Sequence, residues 1–135
     1  MDDLVQWLGV QFDEDERIAR RAGDSFRQIG ETGVIVATEG DRAEECASAN
    51  WAGIAEHIVA HDPARVLREI DAKRRLVREL LEYEAQFDSD RGCGHDADYF
   101  ASGLHNGHMP KDILGLRLIA SGYSHRPGFR EEWRP

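Results

Sequence analysis

The stretch HIVAHDPARVLREIDAKRRL at residues 57–76 decides how this chain folds. Pro63 disfavours helical geometry in the residue before it, so a helix arriving from the N-terminal side ends near His61. Asp62 is then the N-cap of the next helix, and Pro63 occupies its first turn, where the missing N–H has no intrahelical partner to lose. From there Val66, Leu67, Ile70, Val77, Leu80 and Leu81 recur at helical spacing, joined by Tyr83, while Lys73 and Arg74 interrupt the stripe. The spacing predicts a helix over about 63–86, the longest element of the chain.

Working back from this turn, Asp41-Arg42-Ala43-Glu44 has the form of a capping box. It predicts a second helix with Ala43, Ala47, Trp51, Ile54 and Ile58 as its apolar stripe and Cys46 as a small buried filler. Between residues 25 and 40, Phe26 and Ile29 alternate with polar residues, glycines mark a turn at 30–33, and Val34, Ile35, Val36 and Ala37 follow. That is a β-hairpin pattern, and a lone hairpin must lie against helices or another chain to be stable. Ahead of it, Asp2 and Asp3 are placed to cap a first helix carrying Leu4, Trp7, Leu8, Phe12, Ile18, Ala19 and Ala22, with Gly23 as its stop.

Working forward, Gly92, Gly94, Gly103 and Gly107 sit among polar residues in a flexible loop at about 88–111. Within it, 96–104 can form a short helix with Tyr99 and Phe100. Asp112 is placed to cap a last helix over 113–121, and 122–135 reads as an aromatic strap. The whole is an α+β chain: a mostly helical single domain, residues 1–135, with one β-hairpin between the first and second helices.

At 135 residues the chain has room for one modest core. Its formal charge of −9 opposes sequence-independent binding to duplex DNA, which needs a basic face, and makes direct nucleic-acid contact an unfavoured function. Arg65, Arg68, Lys73, Arg74, Arg75 and Arg78 do gather on one helix, but acids interspersed at helical spacing make that a solvated, ion-paired face. No charged leader with an apolar core is visible, and no apolar run approaches a membrane span. With only Cys46 and Cys93, the expectation is a cytoplasmic protein with reduced thiols and no membrane association.

The block at 57–76, together with LRLIA at 116–120 and YSHRPGFREEWRP at 123–135, resembles a family of small proteins of actinobacteria and their phages whose function is unknown. The resemblance implies an accessory or mobile-element role rather than core metabolism, and it brings no activity with it. The lead-in at 46–55 and the glycine-histidine loop depart from the family's pattern.

Two groups of residues have metal-ligand chemistry. Cys93, His95, His105 and His108 are a suitable tetrahedral zinc set, with Asp96 as a further ligand, although Cys93 and His95 are closer in sequence than a usual zinc knuckle allows. His57 and His61, four apart, share a helical face. Joined to Asp62 they resemble the His-Asp motif of metal-dependent phosphohydrolases, but Pro63 gives that carboxylate a capping role instead. No serine or cysteine stands in a nucleophile motif, and no paired acid has a neighbour that would tune it. In the strap, Tyr123, Phe129 and Trp133 interleave with Arg126, Arg130 and Arg134, a composition that suits an interface, while a small domain also needs such rings to close its own core. The sequence therefore points to a non-enzymatic, acidic protein-interaction module with a host or phage protein as partner, able to form a homodimer and expected to need no cofactor. A zinc-stabilised protein and an acidic mimic of DNA are the alternatives.

Overall fold

The computed structural model describes residues 2–90 and 114–135. The chain forms two compact units, one of Asp13–Asp71 and one of Met1–Phe12 with Ala72–Pro135. Helices α1 (Asp2–Arg21) and α3 (Pro63–Asp90) contribute to both.

The unit of Asp13–Asp71 is built on a three-stranded antiparallel sheet of order β1-β2-β3, with strands Ser25–Gln28, Val34–Glu39 and Arg42–Ser48. The predicted hairpin is its first half. Phe26 stands opposite Ala37 and Gln28 opposite Ile35, and the turn between them uses Gly30 at a φ of 55°. Helix α2 (Ala52–Ala60) packs on β1 and β2, where Ile35 and Ala55 are fully buried. Gln28 fixes this packing by donating its Nε2–H to the Ala52 carbonyl at 3.1 Å.

The third strand corrects the expectation of a helix beginning at the capping box. Residues 42–48 pair with β2 instead, so α2 begins only at Ala52. The reason is the turn: Glu39 stands opposite Arg42, leaving Gly40 and Asp41 as a two-residue loop. Gly40 has a φ of 57°, while among the described residues none other than glycine, and so not Asp41, has positive φ, the pattern of a II′ hairpin turn with glycine first. The Gly40 N–H is held at 2.8 Å by the Asp24 carboxylate. Ladder bonds to β2 outweigh the weak helical preference of the segment. Cys46, expected inside, is exposed at the register shift between β2 and β3. Gly33 is required by close approach: a Cβ there would collide with the Ala49 carbonyl oxygen, and Ala49 donates its N–H to Gly33 O at 2.7 Å.

The other unit buries Leu4, Leu8 and Phe12 of α1 with Val77, Leu81 and Ala85 of α3, and Leu116 and Ala120 of a last helix, α4 (Leu114–Ser121). Gly115 lets α4 approach α3 closely, since a Cβ there would lie 2.7 Å from Leu80 Cδ1. Ile18 departs from the predicted stripe of α1 and is exposed. Helix α3 runs through Asp90, four residues beyond its predicted end and past the expected start of the loop at about 88.

Candidate functional site

The turn between α2 and α3 is organised by Asp62. Its Oδ1 accepts the Arg65 N–H at 3.0 Å, the N-cap bond expected from the sequence. Its Oδ2 accepts the Phe26 N–H at 3.1 Å, tying the helix start to β1. Both carboxylate oxygens are thus engaged by backbone donors. His61 closes α2 on the other side, its Nδ1 lying 2.8 Å from the His57 carbonyl oxygen. With Nδ1 carrying the proton, that contact satisfies one of the helix's last carbonyls. The two imidazoles stack, centroids 4.4 Å apart and planes tilted by 37°. They share an exposed face as the spacing implied, but their rings lie over one another and one nitrogen of His61 is already committed. Among the described residues no group of three or more His, Cys, Asp or Glu side chains is arranged to hold a metal ion. Cys93, His95, Asp96, His105 and His108 lie outside the described residues.

The strap folds onto the first turns of α1. Trp7 donates its Nε1–H to the Pro127 carbonyl at 3.0 Å and meets Phe129 and Trp133 at centroid distances of 5.7 and 5.4 Å. Gly128, at a φ of 85°, lets the backbone pass, because a Cβ there would stand 2.9 Å from Trp7 Nε1. Tyr123 packs edge-on to Phe12 and receives the Lys73 ammonium on its hydroxyl at 2.9 Å. Each strap arginine lies over a ring: Arg126 over Tyr123, Arg130 over Trp133 and Arg134 over Phe129. Arg126 also reaches the carbonyl and side-chain oxygens of the buried Gln11, and Arg130 pairs with Asp3 at 2.9 Å. Arg134 holds the Glu131 carboxyl below its ordinary range by a hydrogen bond in the terminal 3-10 turn (Glu131–Trp133). Tyr123 and Trp133 are therefore buried within their own unit, and Phe129 is half-buried.

A feature the sequence reading missed is the sheet edge. Among the described residues β3 pairs with β2 alone, and all seven of its residues are exposed. Beside it lies a recess of about 170 Å³ between the end of α1 and the β2–β3 hairpin. Ala22, Ala37 and Cys46 line it together with Glu39, Glu44 and Glu45, and Arg42 pairs with Glu44 at 3.2 Å. The volume is below the roughly 300–1,000 Å³ of small-molecule sites. It suits the head of one side chain. Gly40-Asp41 between two short runs is a hairpin signal in its own right and would have disclosed the edge.

These features define a mostly helical α+β protein with a small antiparallel sheet, whose open edge adjoins an acidic recess. The chain belongs to the family of unknown function DUF6221, whose model matches residues 1–135. No curated protein and no solved structure matches it. No helix among the described residues is long and apolar enough to cross a membrane.

Proposed function

We propose that this chain is a non-enzymatic protein-interaction module of the cytoplasm, an accessory protein of actinobacteria or their phages that docks an extended, basic segment of a host or phage protein on the β3 edge. The observation that carries this reading is the strand Arg42–Ser48, exposed throughout and bordering a recess whose lining includes Glu39, Glu44 and Glu45. An open edge offers unpaired backbone donors and acceptors to another strand. Charge selects which strand. Two copies of β3 paired antiparallel would bring Glu44 and Glu45 of each copy together, and like charges across a ladder are destabilising. A strand bearing Lys or Arg meets the opposite sign and can place one head in the recess.

The described helices carry alternating ion pairs, such as Arg17 with Glu14, Arg20 with Glu16 and Arg65 with Glu69, rather than aligned carboxylates. Mixed charge of that kind counts against a DNA mimic. Self-association is part of the same interaction role. Zinc dependence would rest on Cys93, His95, His105 and His108 or on the pair His57 and His61, and direct nucleic-acid contact has no part in the role.

The test is affinity capture from an actinobacterial lysate with the wild-type chain and E44K/E45K side by side. A protein retained by the wild type and lost from the variant supports the reading. Identical capture by both, or none by either, contradicts it.

A further inference from the structure

We propose that His57 and His61 form a binding site for one divalent cation of the copper and nickel class, loaded from solution on the exposed face at the end of α2. The inference does not rest on the docking edge, which lies on β3.

Two donors four residues apart on a helix lie on one face and can chelate a single ion, and both of these residues are exposed. The His61 ring is already oriented. Its Nδ1–H donates to the His57 carbonyl oxygen at 2.8 Å, the kind of bond that fixes the tautomer of a metal-ligating imidazole. The lone pair is therefore on Nε2, on the other side of the ring. No hydrogen bond among the described residues engages the His57 ring, which leaves its nitrogens available. The end of α2 carries the negative pole of the helix dipole, which favours a cation. Arg65, whose guanidinium reaches the Ala60 carbonyl at 2.9 Å, is paired with Glu69 at 2.8 Å and adds little net repulsion.

Ring spacing identifies the ion. With metal–imidazole bonds of about 2.0–2.1 Å, two rings bound at right angles have centroids about 4.5 Å apart, whereas tetrahedral ligands stand about 5.2 Å apart. The two centroids here are 4.4 Å apart. Right-angled nitrogen ligands belong to the tetragonal geometry of Cu²⁺ and Ni²⁺, and a nitrogen site of this kind binds Cu²⁺ more tightly than either Ni²⁺ or Zn²⁺. The 37° tilt between the planes adjusts by rotation about the Cβ–Cγ bonds, a soft torsion in histidine. Asp62 is not a third ligand, because both its oxygens accept backbone N–H groups. Water completes the shell, so the ion exchanges with solvent and holds no part of the fold together.

Titration of the full chain with Cu²⁺, Ni²⁺ and Zn²⁺, read by calorimetry and by the electron paramagnetic resonance of bound Cu²⁺, tests this. Cys93, His95, His105 and His108 are first replaced together, as C93S/H95Q/H105Q/H108Q, so that they bind no ion. That chain is expected to take up one Cu²⁺ with hyperfine coupling to two nitrogens, and to bind Ni²⁺ and Zn²⁺ more weakly. H57Q and H61Q, added singly, are each expected to weaken Cu²⁺ binding at least tenfold and to remove one nitrogen from the spectrum. H57Q is the cleaner change: the backbone carbonyl that accepts the His61 bond remains, and the circular-dichroism melt should not move. If the fourfold variant does not fold, H57Q and H61Q in the wild-type chain decide, each by the loss of one bound equivalent of Cu²⁺. No Cu²⁺ bound, a preference for Zn²⁺ over Cu²⁺, a spectrum with one nitrogen, or Cu²⁺ binding indifferent to either substitution would overturn the proposal.

Discussion

Asp62 accepts two backbone N–H groups from different elements, so its removal affects more than a helix cap. In Asp62→Ala the Arg65 and Phe26 donors both lose their partner. The expected loss is about 2 kcal/mol, the sum of a cap and a part-buried hydrogen bond. Asp62→Asn keeps one acceptor oxygen and should lose about half as much. Urea unfolding of both variants checks the ordering, and equal losses would mean that the acceptor oxygen retained by Asn contributes nothing. A contrasting residue is Glu131, whose carboxyl Arg134 holds below its ordinary range. A depressed folded-state value contributes stability above the unfolded value that is lost as pH falls through the folded one. The pair is fully exposed, so Glu131→Gln should leave the melting temperature unchanged near neutrality and in mild acid. The N-cap at Asp62 could be read directly, since Pro63 dictates it locally. Its second bond could not, because Phe26 is brought there only by the sheet.

At the scale of elements, legibility followed locality. Helices α1 and α3 and the β1–β2 hairpin were readable because caps, glycines and apolar spacing all lie within a few residues of one another. The segment 42–48 carried two competing local signals, the capping box at Asp41 and the Gly40-Asp41 turn, and pairing with β2 decided between them. Apolar periodicity gave no help there: with Ala43, Cys46 and Ala47 as its apolar members, the strand reads poorly as either state, and it is exposed on both faces. Gly33 lies at the crossing that permits this pairing. Gly33→Ala is expected to cost about 1–3 kcal/mol, because the Ala49 backbone must move. Amide exchange should accelerate in β2 and β3 of that variant, and an unperturbed β3 would show the crossing to be adaptable.

At the scale of the whole molecule, a chain of 135 residues must use its aromatic tail to complete a core. Trp133 is 6% exposed against Trp7, so Trp133→Ala should cost about 3–5 kcal/mol, measured by urea unfolding. A loss under about 1 kcal/mol would mean that the strap is dispensable, as is usual for surface changes. The interaction role also requires no bound metal. Elemental analysis of the purified protein is expected to find no stoichiometric zinc, and a chelator to leave the circular-dichroism melt in place. The central claim is that β3 is where a partner docks, and amide exchange of the full chain, alone and with the protein it captures, tests it most directly. Protection is expected to rise across residues 42–48 and to stay unchanged across 25–28. Protection elsewhere, with 42–48 unaltered by the bound partner, would contradict it.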